Sequence, residues 1–396
     1  MQKGGIHPMG NNLVIMHGGG PTAVINASLY GAIREAQHCP EVGRIYVAIG
    51  GTGGLLQEKL RDVTDLPEAE LEGLLQSPAS AIGTSRDIIE APEYEAMVPI
   101  LKKFGIRYVL MNGGNGTMDT CGKLQKHCGN TDIRVIGIPK TMDNDLAVTD
   151  HAPGFGSAAR YIAGSVAEVC CDVASLPIHV VVVEALGRNA GWVTAASALA
   201  ADSYGSGPDL IYLPERNFDE ASFLRDVQRL IEEKGHGVIV ASEGLHDADG
   251  KPIVEPVFTV GRSTYFGDVS SHLANLITKN LGYKSRSEKP GLLGRASVPW
   301  QSRVDREEAE ACGRMAVRAA VAGETAKMVA IRRKNGPEYG SETFLADIQE
   351  VMMTERKMPD SFINEAGNGV TEAFKDWCRP LLGDPLPRLI DLREGV

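Results

Sequence analysis

Gly137-Ile-Pro-Lys-Thr-Met-Asp-Asn-Asp145 and, a little upstream, Asn112-Gly-Gly-Asn-Gly-Thr117 both follow short apolar runs, Val135-Ile-Gly-Ile138 and Tyr108-Val-Leu-Met111. Such runs read as buried strands. Each loop then falls at a strand's carboxyl end, where open α/β sheets bind ligands. In an extended stretch, side chains two apart point the same way. Asp143 and Asp145 are therefore expected to face one cleft, with Lys140 and Thr141 just ahead of them. A hydroxyl, an ammonium and two carboxylates beside a glycine turn suit phosphoryl transfer, where catalysis is mostly positioning and charge stabilisation. For an isolated Asp-Asn-Asp the plainer reading is a solvated Asx turn; the preceding Pro-Lys-Thr and the nearby glycines weigh against it.

Outward from this centre, apolar runs alternate with helix-like stretches. Strands are expected at Leu13–Met16, Ile45–Ile49, Tyr108–Met111, Val135–Ile138, His179–Glu184 and Val238–Ser242. Helical spacing marks Ala23–Ala36, Glu93–Phe104, Ala158–Val169 and Ala221–Glu233. That βαβα order predicts parallel sheets covered by helices. The His179–Glu184 run is apolar on both faces, as in a central parallel strand. Asp150–Gly156, Lys284–Pro290 and Lys334–Gly340 break the pattern and are candidate domain boundaries.

The 396 residues leave room for two domains. Lys+Arg 40 against Asp+Glu 51 gives a net charge of −11, which argues against nucleic acid or an anionic membrane as main partner. An anionic substrate then needs a local basic pocket. The seven cysteines are odd in number and irregularly spaced, so no disulfide framework is expected. Cys121, His127 and Cys128 could be read as a metal cluster, but no matching second pair follows. No run approaches the roughly 20 apolar residues of a membrane span, and a cytoplasmic protein is expected.

Further glycine turns follow other strands. Leu13–Asn26 reads as strand, Gly18-Gly-Gly20 turn and helix, and the free N–H groups of such a helix favour an anion. It fits neither a Walker A sequence nor a dinucleotide fingerprint. Ile49-Gly-Gly-Thr-Gly-Gly-Leu55 reads as a flexible connection, and Arg86 as a solvated arginine unless a ligand claims it. Consecutive N–H groups around Asn112–Thr117 can form an anion nest. Glu184-Ala-Leu-Gly-Arg-Asn-Ala-Gly-Trp192 presents Arg188 at a strand end, for phosphate or for a structural carboxylate. Glu243 closes another strand, placed to hold sugar hydroxyls.

Taken in order, Gly18-Gly-Gly-Pro21 with Asn26, Thr84-Ser-Arg86, Gly113-Gly-Asn-Gly-Thr117, Pro139-Lys-Thr-Met-Asp-Asn-Asp145, Leu186-Gly-Arg188 and Ser242-Glu-Gly244 resemble the phosphofructokinase family over most of the chain. The Pro-Lys-Thr-x-Asp-Asn-Asp motif is the specific one. The resemblance implies an α/β fold of two Rossmann-like domains with mostly parallel sheets. It implies a larger donor-binding domain, 1–153 plus about 296–345, and a smaller sugar-phosphate-binding domain, 154–295 plus about 346–396. Asp143 is implied as the general base for the sugar's C1 hydroxyl, with Lys140 and Arg188 as further catalytic groups. Donor contacts are implied at Gly19, Gly20, Arg86, Gly114, Asn115, Gly116, Thr117 and Lys140. Sugar-phosphate contacts are implied at Thr141, Asp143, Leu186, Gly187, Arg188, Glu243, Arg286 and Arg295. Asp145 and Asn115 are implied around Mg²⁺, and a homodimer or homotetramer as the assembly.

Within the family, ATP users carry glycine where this chain has Lys140, and pyrophosphate users carry lysine. Residues 49–54 also lack the Tyr-Asp-Gly that helps form an adenine site. Gly116 points the other way, since many pyrophosphate users have aspartate there. Asn115 replaces the usual aspartate of its loop, and His179 stands where ATP users have an arginine that reaches a neighbouring subunit. The expected activity is reversible, Mg²⁺-dependent phosphorylation of fructose 6-phosphate by pyrophosphate, in glycolysis and gluconeogenesis. The alternatives are ATP as donor, or another acceptor such as sedoheptulose 7-phosphate. A nicotinamide-dependent dehydrogenase would need a G-x-G-x-x-G after the first strand, which is absent. A non-catalytic regulatory homologue, suggested by Asn115, sits poorly with the intact Lys-Thr-x-Asp.

Overall fold

The computed structural model describes residues 10–175, 180–260, 263–352 and 354–392. Along the chain the strands are β1 (Asn12–His17), β2 (Ile45–Ala48), β3 (Leu60–Asp62), β4 (Ile106–Gly113), β5 (Arg134–Pro139), β6 (Val180–Ala185) and β7 (Leu210–Tyr212). They continue with β8 (Gly237–Ser242), β9 (Pro256–Val260), β10 (Ser263–Phe266), β11 (Ser285–Glu288), β12 (Lys327–Arg333) and β13 (Ser341–Asp347). The chain divides into two units. The first holds residues 1–141, 145–154 and 305–355; the second holds 142–144, 155–304 and 356–396.

In the first unit, seven strands make one sheet in the order β13-β12-β5-β4-β1-β2-β3. The five inner strands run parallel, and β13 and β3 are antiparallel edges. Leu13 and Ile15 of β1 enter one apolar cluster, Val14 and Met16 the cluster on the opposite face. That period of two, buried on both faces, is what a central parallel strand requires. Each such side chain is worth about 1.5–3 kcal/mol of burial. Because β1 is paired with β2 on one side and β4 on the other, the strand order reverses beside it. Such reversals open a crevice at the strands' carboxyl ends.

The helices follow from their ends. Ala91–Lys103 starts with a capping box between Glu90 and Glu93. Ile25–Gln37 is tied down by Asn26, whose amide donates to the carbonyls of Ser77 (2.8 Å) and Ala79 (2.9 Å). The stretch expected as a flexible connection, Ile49–Leu55, is instead mostly helix, Gly51–Leu56. Glycine makes this possible: Gly50 and Gly51 take φ of 90° and 68°, and a Cβ on Gly54 would lie 2.1 Å from the Ile49 carbonyl oxygen.

The second unit has a four-stranded parallel sheet in the order β11-β6-β8-β7, and β9 and β10 form a separate antiparallel hairpin. Two helices of this unit are Phe155–Ser175 and Glu220–Lys234. The second is N-capped by Asp219 on the Ser222 N–H (2.7 Å) and ends at left-handed Gly235. His179, the expected start of β6, lies outside the described residues. Lys284–Pro290 contains β11, and Lys334–Gly340 is the connection from β12 to β13. No helix among the described residues is long and apolar enough to cross a membrane.

Candidate active site

At the carboxyl ends of β1 and β4 two glycine turns pack together. Gly18 donates its N–H to the Asn112 carbonyl (2.9 Å), and Gly19, at φ 76°, donates to that of Ser85 (2.9 Å). A Cβ on Gly113 or Gly18 would lie 2.0 or 2.4 Å from the Thr117 hydroxyl, so both positions need glycine. Gly114 caps the helix Asn115–His127, whose first turn holds no acidic residue. A helix start with backbone N–H groups facing outward favours an anion. Gly116 differs from its neighbours: nothing lies within 4 Å of a Cβ built there.

Lys140 follows β5 and is only 3% exposed. Its Nζ donates to the carbonyl oxygens of Gly18 (3.0 Å) and Gly20 (2.5 Å), bracing the first turn with a positive charge. His17 ends β1 just before that turn. Burial first, and then the Lys140 charge, push its imidazole down to about 3, so the ring is neutral. Ser80 Oγ donates to the Gly83 carbonyl (2.7 Å), so it accepts from His17 Nδ1 (2.8 Å). This leaves Nε2 as a bare acceptor, buried without a partner.

Thr141 donates its hydroxyl to Asp145 Oδ1 (2.9 Å), and Asn115 Nδ2 donates to Asp145 Oδ2 (2.9 Å). The expectation of an extended Asp143–Asp145 stretch does not hold. Asn144 is left-handed, at φ 54°, and Asp145 turns back onto Thr141 and Asn115 within the first unit, while Asp143 belongs to the second. Aspartate and asparagine tolerate that conformation through local hydrogen bonds. Asn115 Oδ1 is buried and has no partner. Together with the Asp145 carboxylate it offers oxygen donors, the kind Mg²⁺ takes alongside waters and substrate phosphates. The residues therefore fit the ion. Among the described residues no group of three or more His, Cys, Asp or Glu could hold a metal.

In the second unit the carboxyl ends of β6 and β8 carry the other set. Gly187, at φ 122°, donates its N–H to Glu243 Oε1 (3.1 Å), and Ser242 Oγ donates to the Gly187 carbonyl (2.7 Å). Burial pushes the Glu243 carboxyl above its ordinary value; the Gly187 N–H opposes that and the Glu184 charge adds to it. Arg188 is exposed, with its guanidinium 4.4 Å from the Phe266 ring centroid. A Cβ on Gly244 would lie 1.7 Å from the Arg188 carbonyl oxygen, so glycine lets these two loops cross.

Sequence reasoning passed over Glu184, Lys289 and Arg356. Glu184 is buried, accepts from the Ser270 N–H (3.0 Å) and pairs with Lys289 (2.9 Å), which also pairs with Asp268. A cavity beside it is lined by Met142, Tyr161, Leu186, Pro290 and Gly294, next in sequence to Asp143 and Arg295. Arg356 lies over Trp192 (4.7 Å) and donates to the Asn144 carbonyl (3.3 Å). No motif marks these residues; their partners are far away in sequence. Arg86 is exposed and directly follows Ser85, whose carbonyl accepts from the Gly19 N–H. One expected residue stands apart. Arg286 lines a separate hollow with Ser271, Asn275 and Thr278, and in register it faces Val181, about 10 Å before the Glu184 end of β6.

Comparison with known proteins gives a consistent picture. The family model described as "Phosphofructokinase" matches residues 12–320. A pyrophosphate–fructose 6-phosphate 1-phosphotransferase of Xanthomonas campestris pv. campestris is 38% identical, over 97% of this chain and 96% of its own length. One from Rhodospirillum rubrum is 37% identical, over 97% of each. Among solved structures, a pyrophosphate-dependent phosphofructokinase from Marinobacter aquaeolei superposes with a TM-score of 0.86 at 34% identity, over 98% of this chain and 97% of its own.

Proposed function

The chain belongs to the phosphofructokinase family, and on that premise we propose that it transfers a phosphoryl group from pyrophosphate to the C1 hydroxyl of fructose 6-phosphate. The products are fructose 1,6-bisphosphate and phosphate, and the reaction runs in either direction, in glycolysis or gluconeogenesis. The observation that carries the donor assignment is Lys140, whose buried ammonium is fixed against the Gly18–Gly20 turn. A cation built into that turn meets a compact, highly charged donor.

In this reading the helix start at Gly114–Thr117, the Gly19–Gly20 turn, Arg86 and Lys140 receive pyrophosphate in the first unit. Thr141 contacts the sugar phosphate, and Asp145 with Asn115 Oδ1 would hold Mg²⁺. When bound, the ion neutralises charge on the donor oxygens. In the second unit Glu243 accepts from sugar hydroxyls, and the turn Leu186-Gly187-Arg188 meets the sugar phosphate, with Arg188 and Lys140 stabilising transferred charge. Asp143 takes the C1 hydroxyl proton as that oxygen bonds to phosphorus, and the bond to the departing phosphate breaks. Arg295 grips the 6-phosphate, while Arg286, in its separate hollow, serves a neighbouring subunit of a homodimer or homotetramer. The cytoplasm is the proposed location.

The test is a matrix of steady-state assays, with pyrophosphate or ATP against fructose 6-phosphate or sedoheptulose 7-phosphate, on the wild type and Lys140→Gly. Efficient turnover of pyrophosphate with fructose 6-phosphate, lost in Lys140→Gly, is expected. Turnover with ATP alone would overturn the donor assignment. One observation favours that second reading: the open space at Gly116, where nothing lies within 4 Å of a Cβ.

A further inference from the structure

The segment Asp145–Gly154 returns the chain to its starting point. Thr141 bridges Gly154, and its N–H donates to the Pro153 carbonyl (3.1 Å). The Gly154 N–H donates to Asp305 Oδ1 (2.8 Å). The Asp150 N–H donates to the Ile331 carbonyl (2.9 Å). What holds this loop thus also sets the position of Thr141 and, through the Thr141 hydroxyl, of Asp145.

At its centre His151 is 1% exposed, with Nδ1 2.8 Å from Asp150 Oδ1 and Nε2 2.6 Å from Glu308 Oε2. An ionised carboxylate only accepts hydrogen bonds. A ring with a carboxylate at each nitrogen must therefore donate from both, which makes it an imidazolium. The surrounding elements complete the charges. Glu308 and Asp305 come from the helix Arg303–Val321, Arg333 from β12, and Tyr339 from the β12–β13 connection. Arg333 donates to Asp150 Oδ1 (2.8 Å), and the Tyr339 hydroxyl donates to Glu308 Oε1 (2.6 Å), 3.3 Å from His151 Nε2. Cys312 on the same helix is a neutral thiol, pushed up by burial.

We propose that His151 is a positioning residue for phosphoryl transfer: held as an imidazolium between Asp150 and Glu308, it locks the Asp145–Gly154 segment and thereby fixes Thr141 and Asp145. This rests on the reading that Thr141 and Asp145 serve the reaction. Burial works against the ring's charge, but the Glu308 and Asp150 carboxylates outweigh it, and the ring is held above its ordinary value. The sign follows. The lock is complete below the ordinary histidine value and is lost as pH rises through the raised one. Asp150 and Glu308 are held low despite burial, largely by His151, so their side of the lock fails only in acid.

Two measurements test the lock. Hydrogen exchange of the wild type, corrected for intrinsic rates, is expected to lose protection in peptides spanning 141–154 on going from neutral to alkaline pH. Unchanged protection overturns the proposal, whatever the substrate proves to be. Profiles of kcat against pH, with pyrophosphate and fructose 6-phosphate, compare the wild type with His151→Gln and Glu308→Gln. His151→Gln is expected to lower kcat at neutral pH by about tenfold to a hundredfold, with little change in KM, and to lack the wild-type alkaline limb. Glu308→Gln is expected to move that limb to lower pH. A His151→Gln profile superimposing on the wild type overturns the role in positioning. Should the variants not fold, the wild-type exchange experiment decides. Should no donor give turnover, the functional reading fails and exchange still decides the lock.

Discussion

Around the glycine turns of the first unit the helix start at Asn115, the Asn115 amide and the Lys140 ammonium stand with one carboxylate, Asp145. The loops of the second unit present two carboxylates, the buried Glu184 and the half-buried Glu243. The contrast follows the chemistry of the two proposed substrates. A pyrophosphate needs hydrogen-bond donors and positive charge, whereas sugar hydroxyls need acceptors. It also explains how a chain of net charge −11 can receive an anion: the basic character is local, and Lys140 is seated against the carbonyl oxygens of the Gly18–Gly20 turn.

The largest test of that division removes a carboxylate from the acceptor side. Asp143→Asn is expected to lower kcat by roughly 10²–10⁴, the share of a general base, with KM for pyrophosphate little changed. Near-full activity in a steady-state assay would remove Asp143 from its role and blur the distinction between the regions.

A smaller effect tests the backbone crossing in the second unit. Gly244→Ala places a methyl group 1.7 Å from the Arg188 carbonyl oxygen, and is expected to cost about 1–3 kcal/mol in a urea melt, as overpacking does. Gly116→Ala, with open space, is expected to be neutral or slightly stabilising as a helix substitution. Equal costs at the two positions would show that the crossing is not constrained as described.

The smallest effect separates stability from function. The Glu243 carboxyl is raised by burial in the folded chain, so its contribution to stability is complete below the ordinary carboxylate value and lost as pH rises through the raised one. At neutral pH the ionised group opposes folding. Glu243→Gln is therefore expected to raise the melting temperature slightly at pH 7 while raising KM for fructose 6-phosphate. A lower melting temperature, measured by calorimetry, would contradict the direction of that shift.

How legible each region is follows from how it is built. The proposed donor side is local: Gly18–Gly20, Gly113–Thr117 and Lys140–Asp145 each lie on one strand-to-helix or strand-to-loop turn, and a pattern of residues within a few positions reports them. The inner strands are equally plain, because apolar runs on both faces admit little else. The proposed acceptor side is assembled from distant pieces. Gly187 meets Glu243 across 56 positions, and Ser270 meets Glu184 across 86. The His151 cluster joins residues 157 apart. The helix at Gly51–Leu56 escaped for another reason: glycine's weak helix propensity hid a turn that only glycine can close. The extended reading of Asp143–Asp145 failed at one residue, Asn144, whose left-handed backbone nothing short of the structure specifies.

Neither unit is a contiguous stretch of chain, and this governs the order in which the protein can be made. β12 and β13, which complete the first sheet beside β5, are synthesised after all of 155–304. A nascent chain that has reached residue 300 therefore carries β1–β5 with the β5 edge unpaired, a ready template for pairing with another strand. Ribosome-bound intermediates of that length are where misassembly would begin, and the last hundred residues are what close the sheet.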